Sequence, residues 1–308
     1  MFTAVSLSDG RTLEYVDLGD PAGEPVLLCH GTPSSAGFAA VVADVARDCG
    51  VRLVAPSRPG YGASTPSRPG LASCAADAVE LADQLGLGRL AAMGVSGGGP
   101  FALALGAVAP ERITSVFVHA GTASYFELMP PSDEDAEERR AIALFAAGDV
   151  DGATAAMTAS ADRDFGPMRG LTDAEVGEAL KAMVPAGETW LDSHPAARAA
   201  FDRDFSRAIS TSAGYVRDVL SWGGAWDIDL ARMGPPVRLI YGESDAMVPR
   251  THADWLLARL PAADVVVVPG GHGDVSFGQA QETFAAVAAA RADDGPVTAP
   301  APWDRLSP

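Results

Sequence analysis

The chain has 308 residues, 48% apolar and 20% charged, a composition that suits a compact globular protein and excludes a disordered or collagen-like one. Its 22 basic residues oppose 40 acidic ones for a net charge of −18, so nucleic acid and anionic lipid surfaces are repelled and neither is expected as a partner. Cys29, Cys49 and Cys74 are odd in number and lack CxxC spacing, which argues against a disulfide framework and a cysteine-rich metal site.

Met1 to Gly10 has no basic n-region and no apolar h-region, and no stretch reaches the roughly 18 uninterrupted apolar residues of a membrane span. A cytoplasmic protein with no membrane partner is expected. From Phe2 to Asp17 apolar and polar residues alternate around Asp9-Gly10, which predicts an antiparallel hairpin. Continuous apolar runs at Pro25–Cys29, Arg52–Ala55, Arg89–Gly94 and Ile113–Ala120 predict strands buried on both faces. Helical stretches at Gly37–Cys49, Cys74–Leu85 and Gly98–Ala109 separate them. Alternating strands and helices imply an α/β fold with a mostly parallel sheet covered on both faces.

The alternation stops at Thr122 and resumes at Val237–Tyr241, followed by a last strand at Asp264–Val268 and a helix at Gln279–Ala290. Between them the chain reads as helical only, with candidates at Asp133–Ala147, Val150–Ser160, Thr172–Val184 and Ser212–Trp222. The five acids between Asp133 and Glu138 are expected to form a solvated helix face. The proline-containing end from Ala292 reads as extended and poorly ordered.

Gly94-Val95-Ser96-Gly97-Gly98 is a GxSxG set lying directly between an apolar strand and a helix. Such a turn holds a serine in a strained backbone conformation with its hydroxyl exposed, and glycines at the flanks let strand and helix approach. The helix start points amides, notably that of Gly97, at the space where an oxyanion would develop. A serine hydroxyl requires a base and an orienting carboxylate. Among five histidines, His272 lies in a glycine-flanked loop after the last strand and is the expected base, with His119 the competitor. Asp245, after the penultimate strand, is the expected carboxylate, with Glu243 as fallback.

These pieces, together with His30-Gly31-Thr32-Pro33 and Arg58-Pro59-Gly60-Tyr61-Gly62-Ala63-Ser64, make the chain resemble the α/β-hydrolase superfamily over nearly its whole length. The Val95–Pro100 segment resembles bacterial serine hydrolases of unassigned substrate. The resemblance implies a core at 1–121 and 223–293, an inserted helical cap at 122–222 and a second oxyanion amide on Thr32, and leaves the extended tail at 294–308 outside it. Relatives with the same HGxP turn include haloalkane dehalogenases and epoxide hydrolases, which use an aspartate nucleophile where this chain has Ser96. Ser57 stands where an aspartate often precedes the Arg-Pro-Gly turn.

The implied activity is hydrolysis of a carboxylic ester, lactone, thioester or amide of a small-molecule substrate, without cofactor or metal. Acyl transfer, carbon-carbon cleavage and cyclisation on the same triad stay open, as does a ligand receptor that kept the fold. A dinucleotide site is disfavoured, because Val118-His119-Ala120-Gly121 supplies no ribose-binding acid to accompany Gly97–Ala102. The helical insertion brings Tyr125, Phe126, Phe145, Phe165, Trp190, Phe201, Phe205, Tyr215 and Trp222. Most are expected to form its own core, and some to face the serine and set selectivity.

Overall fold

An apolar run such as Val26–Cys29 leaves no polar face, so a sheet containing it must be covered on both sides. The computed structural model describes residues 1–130, 132, 135–183 and 190–290. Its strands are β1 (Thr3–Ser6), β2 (Thr12–Gly19), β3 (Glu24–Cys29), β4 (Val51–Pro56), β5 (Leu90–Val95), β6 (Ile113–His119), β7 (Val237–Gly242) and β8 (Ala263–Val268). They form one eight-stranded sheet in the order β1-β2-β4-β3-β5-β6-β7-β8. Strand β2 pairs antiparallel with β1 and β4, and every pairing from β4 through β8 is parallel. The expected hairpin is therefore present, with Gly10 at its turn in the left-handed region (φ 85°).

Successive side chains of the central strands point to opposite faces. Leu27, Cys29, Val54, Ala92, Val116 and Val118 join one core, together with residues of α2 (Leu71–Gln84) and α3 (Gly99–Val108). Leu28, Leu53, Ala91, Met93, Val95 and Phe117 join the other, against α1 (Ala39–Asp48) and α13 (Ala280–Ala290). The register sets Cys29 opposite Gly94, Val95 opposite His119, His119 opposite Ile240, and Gly242 opposite Val268. The loops that follow β3, β5, β7 and β8 consequently emerge along one edge, where open α/β sheets bind ligands.

Between β6 and β7 run α4 (Tyr125–Leu128), α5 (Ala136–Ala146), α6 (Val150–Phe165), α7 (Asp173–Met183), α8 (Trp190–Ser193), α9 (Pro195–Ala208) and α10 (Ala213–Trp222). After β7 come α11 (Thr251–Leu257) and α12 (His272–Gly278). Several elements differ from the sequence expectation, among them the short helices α4 and α8, which it did not contain, and α6, which runs on to Phe165. Helix α2 starts at Leu71 rather than Cys74, because Asp227 Oδ1, distant in sequence, accepts from the amides of Leu71 (2.9 Å) and Ala72 (3.2 Å). Helix α9 was not expected: its buried face carries Asp202 and Asp204 beside Phe205 and Ala208, which erases the apolar periodicity that reveals helices. His272 opens α12 instead of lying in a loop. The expected tail at 294–308, and Asp133, Glu134 and Val184 of the expected helices, lie outside the described residues.

Two buried polar ties fasten the insertion to the sheet. Arg58, in the turn after β4, meets Asp218 of α10 through Nε at 3.0 Å and Nη2 at 2.6 Å, with both side chains at most 2% exposed. Tyr61 in the same turn presses its ring on Gly214, where an added Cβ would collide with it. At the second tie Asp204 of α9 accepts from Ser34 Oγ (2.6 Å), Ser35 N (3.1 Å) and Ser35 Oγ. Arg207, one turn on, pairs with Glu14 of β2, which also accepts from Ser57 Oγ at 2.7 Å.

Removing one partner of a buried ion pair strands the other charge without water. Asp218→Ala should therefore lower the unfolding free energy by about 3–5 kcal/mol in denaturant titration; a loss under about 1 kcal/mol would show that the guanidinium finds another partner. Burial pushes the Asp204 carboxyl up to about 6 from its ordinary 3.8. The folded state then holds this proton more tightly than the unfolded chain, a stability contribution complete below pH ~4 and lost as pH rises through 6. Across pH 4 to 6 the wild type should lose stability relative to Asp204→Asn, and parallel curves for the two proteins would refute this.

Candidate active site

The turn from β5 into α3 is sharp because its flanks lack side chains. A Cβ on Gly94 would lie 2.6 Å from Gly98 O and 2.8 Å from Ala102 Cβ, and one on Gly98 would overlap the carbonyls of Cys29 and His30. Ser96 sits at the apex with φ 53°, in the left-handed region that costs a non-glycine residue about 1–3 kcal/mol. That conformation directs Oγ away from the sheet edge and toward the insertion. Ser96 O accepts from the amide of Thr122 (3.3 Å), which ties the turn to the loop that follows β6.

His272 and Asp245 reach the same point from the next loops. His272 Nε2 lies 2.9 Å from Ser96 Oγ, and Nδ1 lies 2.9 Å from Asp245 Oδ2. Asp245 Oδ1 accepts from the amides of Met247 (2.9 Å) and Val248 (2.8 Å), which fixes the carboxylate plane. A carboxylate oxygen only accepts, so Nδ1 carries the ring proton and Nε2 is left to accept from the serine hydroxyl. Glu243, the fallback, is exposed.

The other four histidines are held elsewhere. His119 bonds Thr283 Oγ1 (2.8 Å), and burial lowers its pKa to about 3. His252 Nδ1 accepts from Ala123 N (2.9 Å), its ring stacks on Tyr125, and burial lowers it to about 4. His194 stacks on Trp190 at 4.0 Å. His30 donates to Gly31 O (2.8 Å) and accepts from Arg58 N (3.2 Å); burial, then the nearby guanidinium, hold it well below its ordinary range.

Thr32 and Gly97 flank Ser96 in the cavity wall, and a Cβ on Gly97 would come within 3.4 Å of Thr32 N. Gly97 lies in the first turn of the helical segment, where amides lack an intrahelical acceptor. The loop carrying Thr32 is shaped by Arg58, which donates to His30 O (2.5 Å), Gly31 O (2.8 Å) and Thr32 Oγ1 (3.1 Å). Thr32 Oγ1 in turn donates to Asp218 Oδ2 at 2.8 Å. The Phe101 ring packs under the guanidinium at 4.4 Å. The sequence marks the Arg-Pro-Gly turn but not this network, because Asp218 lies 160 residues from Arg58 with no local pattern around it. Ser57 donates to Glu14 and accepts from Ala36 N (3.0 Å), so it supports the turn through a short hydroxyl.

Above Ser96 lies a cavity of about 660 Å³ between the sheet edge and the insertion. Eight of the nine aromatic residues singled out in the insertion line it, all but Phe145; Phe165 and Phe205 are at the same time members of the insertion's own core, with Phe201 and Tyr215 packed against it. The sheet side adds Phe38 and Phe277, which stack at 5.7 Å. Glu138, expected on a solvated face, lines the cavity as well and accepts from Tyr215 OH at 2.7 Å. The helix start at Ala136 turns this last acid of the run inward.

Comparison with known proteins agrees with this architecture. A family model described as the alpha/beta hydrolase fold matches residues 24–154. Over 132 residues, 41% of this chain, it is 30% identical to the uncharacterized hydrolase YcgS of Bacillus subtilis. Over 112 residues, 35% of the chain, it is 38% identical to haloalkane dehalogenase 2 of Mycobacterium tuberculosis. These matches span only 43% and 38% of the relatives' own lengths. An alpha/beta hydrolase fold protein from Nakamurella multipartita superposes with TM-score 0.64 at 22% identity, covering 94% of this chain and 99% of that one. With its sheet order, its strand-to-helix serine turn and these similarities, the chain has the α/β-hydrolase fold.

Proposed function

We propose that the protein is a serine hydrolase acting on a carboxylic ester, lactone, thioester or amide through an acyl-enzyme intermediate. The observation that carries this reading is the unbroken Ser96–His272–Asp245 relay, 2.9 Å at each step, at the base of a large apolar cavity. Ser96 Oγ attacks the substrate carbonyl while its proton passes to His272 Nε2. Asp245 Oδ2 accepts from Nδ1 and stabilises the imidazolium. The amides of Thr32 and Gly97 are assigned to the developing oxyanion. His272 then returns the proton to the departing alcohol, thiol or amine, and a water activated by the same ring releases the acid.

The dehalogenase activity of the mycobacterial relative is not carried over. A serine oxygen that displaced halide would be left as an ether, with no carbonyl for water to attack. In this reading the helical insertion acts as a cap over the serine, and its aromatic residues select among acyl or leaving groups.

Ser96→Ala should abolish turnover of p-nitrophenyl esters by at least ~10³-fold without lowering the Tm, and a fluorophosphonate should add once, to the peptide bearing Ser96. Turnover at wild-type rate in that variant, or labelling elsewhere, refutes the assignment. Phe126→Ala should change kcat/KM unequally for short-chain and long-chain esters. Phe145→Ala, which touches the core but not the cavity, should reduce stability alone. If both variants shift every ester by one common factor, the cap does not set selectivity.

A further inference from the structure

Besides His272, four acidic or basic side chains among the described residues line the cavity: Glu138, Lys181, Asp192 and Arg198. Three belong to ion pairs, Lys181 with Glu178 (2.7 Å), and Arg198 with Asp202 (2.8 Å) and Asp192 (3.5 Å). Glu138 differs. Its Oε1 accepts from Tyr215 OH (2.7 Å) and Ser160 Oγ (3.3 Å), and among the described residues it makes no ion pair. The guanidinium of Arg163 stops one residue short, bonded to the far side of Ser160 Oγ at 2.9 Å and paired with Asp164 at 3.0 Å.

The carboxylate is set in an aromatic wall. Tyr215 packs edge-on to Phe165 with centroids 5.1 Å apart, and Tyr125 contacts Phe126 at 5.3 Å and Trp222 at 6.0 Å, all five rings lining the same space. A partly buried carboxylate held by hydroxyls alone keeps an uncompensated charge, which burial resists by raising its pKa. Hydroxyl donors orient it without neutralising it. An ammonium group is the ligand chemistry that answers both features, because it pairs with the carboxylate and is attracted to the negative faces of the surrounding rings. A plain alkyl chain would fill the rings and leave the charge stranded.

We propose that Glu138 is a specificity-determining residue that receives an ammonium group of the substrate, held between its carboxylate and the aromatic rings of the insertion. This names the substrate class of the serine hydrolase and rests on that reading for its chemistry, but binding of the cation to the cavity does not depend on turnover. Tyr215 and Ser160 position the carboxylate, and Ser96 remains the reacting group.

Two measurements test it. The first compares kcat/KM for isosteric pairs, p-nitrophenyl 6-aminohexanoate against p-nitrophenyl heptanoate, and acetylthiocholine against the thioacetate of 3,3-dimethylbutanethiol. The wild type should prefer the cationic member of at least one pair by about tenfold, and in Glu138→Gln, which still accepts from Tyr215, the ratio of the two kcat/KM values within each pair should fall to near one. The second titrates hexyltrimethylammonium and 1-hexanol into wild type, Ser96→Ala and Glu138→Gln by calorimetry. The cation should bind the first two alike, more tightly than hexanol, and bind Glu138→Gln about tenfold more weakly. Equal affinity for cation and alcohol in the wild type, or unchanged cation binding in Glu138→Gln, overturns the proposal. Selective cation binding without ester turnover or fluorophosphonate labelling would instead refute the serine-hydrolase reading and leave the cation site standing.

Discussion

The buried contact between Arg58 and Asp218 is the constraint around which the rest of this molecule is arranged. A guanidinium removed from water needs most of its donors satisfied, and here they go to one carboxylate, two consecutive main-chain carbonyls and a threonine hydroxyl. Those acceptors belong to two separate parts of the chain, the turn after β3 and helix α10 of the insertion, while Arg58 itself stands in the turn after β4. Satisfying one buried cation therefore fixes the position of Thr32 relative to both the sheet and the roof of the cavity. The insertion cannot lift from the sheet at α10 without exposing an unpaired charge at the same loop that borders Ser96.

The sheet contributes a different kind of order. Parallel register places the ends of β3, β5, β7 and β8 along one line, so four loops remote in sequence deliver Thr32, Ser96, Asp245 and His272 to one place. The strained φ of Ser96 is tolerated because Gly94 and Gly98 let β5, β3 and α3 close tightly around it. Two amides on Asp245 Oδ1 leave Oδ2 free to face the imidazole, which fixes the direction of every later proton transfer in the proposed reaction.

The insertion supplies what the sheet lacks, an apolar enclosure. Its own separate core, built on Phe165, Met168, Val176, Leu180, Phe205 and Ile209, lets it hold shape while some of the same rings also border the cavity. Phe165 and Phe205 serve both purposes, so core and pocket are not distinct sets of residues. Glu138 is the exception within this wall, a carboxylate answered by hydroxyls where its neighbours are answered by charges.

Local signals carried the core fold. Unbroken apolar runs meant strands covered on both faces, Asp9-Gly10 meant a hairpin, and a serine between glycines at a strand-to-helix junction meant an exposed hydroxyl; each property depends on residues adjacent in sequence. Ser96, His272 and Asp245 were legible for the same reason, since each directly follows a strand whose end the topology must bring to a common edge. Other features depend on contacts between distant residues. Helix α9 hid because it buries aspartates, α2 began early because Asp227 caps it, and the acids before α5 looked solvated until Glu138 was found against Tyr215. The sequence by itself determined which residues meet at the sheet edge and on what sheet they stand. Only the tertiary structure decided the cation that locks the Thr32 loop and the carboxylate that faces the cavity, because a charge buried between two distant segments is defined by its partner and leaves no local pattern.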